Sequence, residues 1–173
     1  MEIVTIICVV LVAISAVLSQ LEVSYDPLIV SKSVVLAKTP KQVFYYVADF
    51  HNHNKWIGGI SKTEELDGSL MGEGKLFHQM VETPFVGEVR HQIEILQYNP
   101  PSKVVYNSDM ELLKPRIELE ITPGSKVGHT RLTWKTYSRR RSYLFCVTVL
   151  PISQYISNEN LRSTLFNLRT LIH

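Results

Sequence analysis

Between Val34 and Trp56 the chain reads Val34-Val-Leu-Ala-Lys-Thr-Pro40-Lys-Gln-Val-Phe44-Tyr-Tyr-Val-Ala-Asp49-Phe-His-Asn-His-Asn-Lys-Trp56. A run rich in Val and Ile, with serines between them, predicts a strand over Leu28 to Ala37. It stops at Thr39-Pro40. A threonine hydroxyl suits a helix cap, and proline suits the first helical position, where its missing N–H is not needed. Val43, Phe44 and Val47 then recur at three- and four-residue spacing, which predicts a short helix with one apolar side. His51 to Ile60 reads as a second short helix or an irregular turn, ended by Gly58-Gly59. This order of strand, Thr-Pro cap, short helix and tryptophan is the strongest local evidence for the fold.

After Gly59 the period changes to two. Strands are expected near Ser61–Leu66, Gly74–Glu82, Gly87–Tyr98, Lys103–Met110, Arg116–Ile121 and His129–Tyr137. Turn residues bound them at Asp67-Gly68, Gly72, Pro84, Asn99-Pro100-Pro101, Lys114-Pro115 and Pro123-Gly124. Consecutive strands with short connections predict an antiparallel meander. In Arg116 to Ile121 the residues Ile117, Leu119 and Ile121 share one face. In Gly87 to Tyr98, Val89, His91, Ile93 and Ile95 oppose Glu88, Arg90, Gln92 and Glu94. Leu161, Leu165, Leu168 and Ile172 return to helical spacing and form an apolar stripe that must pack on something. Pro151 is a candidate opening of this helix, with a break expected near Ser157–Asn160. Ser138 to Leu150 is read as a possible extension of the last strand.

A chain of 173 residues, 45% hydrophobic and 20% charged, supports one globular domain with a sizeable core. The formal charge of +2, read as evenly spread, gives no argument for nucleic acid. Ile3 to Leu18 carries no charge and suits the apolar part of a signal peptide, with small residues at Val17 and Ser19 before Gln20. Residues 1–19 are therefore expected to be a signal peptide, giving a secreted protein, or else an N-terminal membrane anchor. The domain proper spans 28–173. Cys8 lies in the leader, so Cys146 has no partner for an internal disulfide in a processed chain and reads as a buried small hydrophobe. Arg139-Arg140-Arg141 reads as a solvated turn, with anionic head groups as the alternative.

The order of strand, two short helices, six antiparallel strands and a closing amphipathic helix resembles the helix-grip domains of the START-like (SRPBCC) superfamily. The similarity is to its polyketide cyclase/dehydrase and lipid-transport group, which includes birch-pollen-allergen-type carriers and coenzyme Q-binding proteins. The residues behind it are Ser33 to Phe44, Val47-Ala-Asp49-Phe, Trp56, Met71-Gly-Glu-Gly74-Lys, Tyr98 to Tyr106, Thr130-Arg-Leu-Thr-Trp134 and Ser163 to Arg169. The resemblance implies an α+β fold, a curved antiparallel sheet of about seven strands around a long C-terminal helix. It further implies an internal cavity for a small hydrophobic ligand: a lipid, sterol, isoprenoid or polyketide-like molecule.

Expected lining residues are Trp56, Phe77, Val89, His91, Ile93, Tyr106, Leu119, Leu132 and Trp134 from the sheet side, and Leu161, Leu165 and Leu168 from the helix. The bland reading is that these side chains meet and fill the core. His91, set by parity among Val89, Ile93 and Ile95, could bond a ligand or act as an acid/base in a cyclase, dehydratase or hydrolase. That role needs a second inward polar group such as Gln79, Tyr106 or Asp109. Asp49, His51 and His53 match no closed zinc pattern and read as exposed polar residues at a helix end. No nucleophile elbow or phosphate-binding loop is present, so no catalytic residue, metal or cofactor is assigned. A monomer binding a small hydrophobic ligand is the expectation, with binding placed ahead of catalysis.

Overall fold

The computed structural model describes residues 2–83 and 86–172. Seven strands form one antiparallel sheet: β1 (Leu28–Leu36), β2 (Ile60–Glu65), β3 (Leu76–Thr83), β4 (Gly87–Asn99), β5 (Lys103–Ser108), β6 (Pro115–Pro123) and β7 (Thr130–Ser138). Their order is β1-β7-β6-β5-β4-β3-β2, a meander whose last strand is joined by the first. Helix α1 (Glu2–Gln20) precedes the sheet, α2 (Pro40–Val47) and α3 (His53–Trp56) follow β1, and α4 (Tyr143–Leu171) closes the chain. This is the helix-grip order expected from the sequence. The turn expected at Pro84 lies outside the described residues.

Thr39 caps α2 reciprocally: its hydroxyl accepts from the Gln42 N–H, and the Gln42 side chain accepts from the Thr39 N–H. Val43, Phe44 and Val47 are fully buried on the concave face. Along β6, Ile117, Leu119 and Ile121 point to that face, paired with Tyr106 and Val104 of β5 and with Thr136, Trp134 and Leu132 of β7. The centre of the core is aromatic. Phe50 stacks on Phe77 at 4.8 Å and meets Tyr106 edge-on at 4.9 Å, while Trp56 meets Trp134 edge-on at 5.7 Å.

Three expectations change. Ser138–Leu150 does not extend the sheet: β7 ends at Ser138, and the Ser142 hydroxyl accepts from the Phe145 N–H to cap α4. Pro151 lies inside α4 rather than at its start. Both it and Val147, whose carbonyl loses its helical donor there, sit on the exposed side. Nor does α4 break near Ser157–Asn160. Its apolar phase shifts because its partners change, with α1 contacting it as well as β1, while Leu161, Leu165 and Leu168 enter the core. Cys146 is half-buried.

Candidate functional site

Where α4 crosses the sheet, a groove of about 350 Å³ remains. Its floor is Val30 of β1 with Trp134 and Thr136 of β7. Ile57 and Gly58, at the end of α3, form one wall, and Ser157, Asn160, Leu161, Ser163, Thr164 and Asn167 of α4 form the other. Trp134 is held rigidly here. Its indole N–H donates to the Thr136 hydroxyl at 2.8 Å, and Trp56 packs behind it. The groove thus combines an aromatic and aliphatic floor with uncharged hydroxyl and amide groups along one side.

The expected site residues divide. Trp134 and Leu161 line the groove. Trp56, Phe77, Ile93, Tyr106, Leu119, Leu132, Leu165 and Leu168 are buried together as core, so most of the space expected to be open is filled by side chains. Val89 is half-buried near the β3–β4 turn, opposite Val81. Tyr106 is buried, which raises the pKa of its hydroxyl and keeps the phenol neutral. Sequence reasoning missed Val30, Thr136, Ile57 and the polar wall of α4. A signal for that wall exists: Ser157, Asn160, Thr164 and Asn167 recur at intervals of three and four, parallel to the leucine stripe.

His91 does not line this groove. Its Nδ1 lies 3.4 Å from Asp109 Oδ1, and it pairs across the ladder with Gln79. Asp109 is itself engaged, accepting from the Gln92 N–H at 2.8 Å. His53 departs most from its expected place. It is fully buried, not an exposed helix-end residue. Its Nε2 stands 3.0 Å from the Val47 carbonyl, which can only accept, so Nε2 carries the proton. Nδ1 then accepts from the Gln79 amide at 3.1 Å. Burial lowers the His53 pKa to about 4, against smaller opposing effects of the Val47 carbonyl and Asp49. This neutral imidazole ties α3, and hence the Ile57–Gly58 wall, to β3.

Two charged clusters lie outside the groove lining. The buried Lys75 ammonium donates to Glu65 Oε2, the Asp67 carbonyl and the Ser69 carbonyl, each at 2.7 Å, and to Asp67 Oδ1 at 3.1 Å. The hydrogen bond to Glu65 leads in raising its pKa. Arg139 donates to the Lys114 and Ser108 carbonyls, Arg140 to the Glu111 carbonyl and Arg141 to Asp26. The basic run therefore clasps the β5–β6 connection and the start of β1. Among the described residues no group of His, Cys, Asp and Glu is arranged to hold a metal ion.

A family model described as polyketide cyclase / dehydrase and lipid transport matches residues 27–149. No curated protein matches the chain. Among solved structures, a START superfamily protein from Mycobacterium smegmatis is 16% identical, with a TM-score of 0.68 over 84% of this chain and 97% of that one. The di-domain aromatase/cyclase StfQ of the steffimycin pathway is 14% identical, with a TM-score of 0.66 over 85% of this chain and 52% of that one. Protein NE0264 from Nitrosomonas europaea is 13% identical, with a TM-score of 0.63 over 82% and 92%. At these identities the structures speak for the fold, and the family match covers well over half of the sequence. The chain belongs to the polyketide cyclase/dehydrase and lipid-transport family, with the START-like helix-grip fold.

Proposed function

We propose that this protein binds and carries a small hydrophobic ligand, held in the groove between α4 and Trp134. The observation that carries the reading is the groove itself: about 350 Å³ of open space over Val30, Trp134 and Leu161, at the edge of the buried core. That volume falls in the range of small-molecule sites. Each Å² of apolar ligand surface withdrawn from water contributes about 25 cal/mol, so a small lipid, sterol or isoprenoid gains useful affinity. The amides and hydroxyls of Asn160, Thr164 and Asn167 offer hydrogen bonds to a ligand hydroxyl or carbonyl, and the groove lining carries no charged residue. Binding is favoured over turnover because His91, the best acid/base candidate, stands away from the groove.

Helix α1 is long and apolar enough to cross a membrane, and none of its residues is buried. The same features fit a signal sequence. We propose that residues 1–19 direct the chain to the secretory route and are removed before Gln20; if retained, they hold the domain at a membrane. Sequencing the N-terminus of the mature protein decides between these fates. Mass spectrometry of molecules extracted from the folded protein tests the carrier function. A stoichiometric apolar compound supports it. Absence of any such compound, together with failure of fluorescent fatty acids and sterols to bind, refutes it.

A further inference from the structure

The overall charge of +2 conceals a segregation that contradicts an even spread. Residues 27–48, 121–158 and 160–173 hold three, six and two of the Lys and Arg residues, 11 of the 18 in the chain, and none of its 16 acidic residues. These segments build β1, α2, β7 and most of α4, with Glu159 the one acid interrupting them. Two of these cations meet at a second groove, of about 570 Å³, on the β1 side of the C-terminal end of α4. Lys126 of the β6–β7 loop and Arg169 of α4 line it together with His129. Val34 and Ile172 supply apolar floor, and Ser125 a hydroxyl.

The cations here lack acidic partners. Lys62, Lys75, Lys103, Arg116, Lys135 and Arg141 each hold a carboxylate. Among the described residues, no ion pair involves Lys126 or Arg169, nor Lys32 and Lys38 at either end of the β1 segment beside the groove, nor Arg131 across from Val35. Arg162 lies two turns before Arg169 on the same side of α4 and is likewise unpaired. Like charges gathered without counter-charges repel one another and set up a local positive potential, which an incoming anion relieves. Two cations and a hydroxyl around one groove suit an anion with several oxygens, and an arginine fork grips two at once.

We propose that this groove binds a phosphate group, either free or as the head group of a lipid whose glycerol or acyl portion lies over Val34 and Ile172. The site is separate from the groove at Trp134, and stands or falls independently of what that groove carries. The experiment is calorimetric titration of the folded full chain in neutral detergent with two probes, inorganic phosphate and dihexanoyl phosphatidic acid. Wild type is compared with Lys126→Gln/Arg169→Gln and with the control pair Lys41→Gln/Lys55→Gln, all four positions being exposed. The expected result is binding of at least one probe, weakened tenfold or more in the first double variant, within twofold of wild type in the control, and falling with added salt. Tighter binding of the lipid assigns a head-group site; equal affinities assign a site for the free anion. Binding of neither probe, or equal weakening in both double variants, overturns the proposal.

Discussion

Acidification should destabilise this protein through one buried imidazole. His53 is neutral in the fold, with a pKa lowered to about 4 by burial, while an unfolded histidine titrates near 6.5. Between those values the unfolded chain takes up a proton that the native protein refuses, so stability falls as pH falls through the window and is unaffected by this group above it. Two and a half decades of proton affinity, at 1.36 kcal/mol per decade, correspond to about 3 kcal/mol at pH 4, of which about 2 kcal/mol is already lost by pH 5. That is a large share of the ~5–15 kcal/mol that holds a domain together. Urea unfolding followed by tryptophan fluorescence is a suitable assay, since Trp56 lies 5.4 Å from His53. Curves collected from pH 7.5 to 5 should show the loss in wild type, and a markedly shallower slope in His53→Gln. A wild-type stability that is flat over this range would refute the argument. So would a variant whose slope matches wild type, because the acid sensitivity would then belong to other groups.

Other outcomes follow from the same structure. Thr164→Phe places a ring in the groove under α4 and should weaken any groove ligand at least tenfold, read by probe titration. Phe50→Ala removes the ring stacked on Phe77 and should cost ~3–5 kcal/mol in chemical unfolding. Lys75→Met leaves Glu65, Asp67 and the Ser69 carbonyl without their shared ammonium; limited proteolysis should then cut the β2–β3 loop faster than in wild type. His91→Ala should leave groove binding unchanged, measured with the same probe.

What the sequence displayed best was local. The Thr39-Pro40 helix start, the alternation along β6 and the leucine stripe of α4 are each legible within about ten residues. Physics acts locally there, through capping and periodicity. His53 was not legible, because α3 is only four residues long and shows no period, and its partner Gln79 is 26 residues away. The irregularity between Ile95 and Gln97 likewise has no local signal. The candidate groove joins Val30, Ile57, Thr136 and Thr164, which meet only through the β1–β7 register and the path of α4. The expected lining residues are apolar and inward-facing, and such residues pack against one another. The groove at Trp134 is bordered on the α4 side by smaller, more polar side chains, a pattern that hydrophobicity alone passes over.

The central claim is that an apolar ligand lies against Trp134 beneath α4. Energy transfer from tryptophan to cis-parinaric acid, titrated into the folded chain, tests it most directly, because Trp134 borders the groove and Trp56 stands behind it. Saturable one-to-one transfer is expected in wild type and in His91→Ala, and its loss in Thr164→Phe. Absence of saturable transfer in wild type, or undiminished transfer in Thr164→Phe, would contradict it.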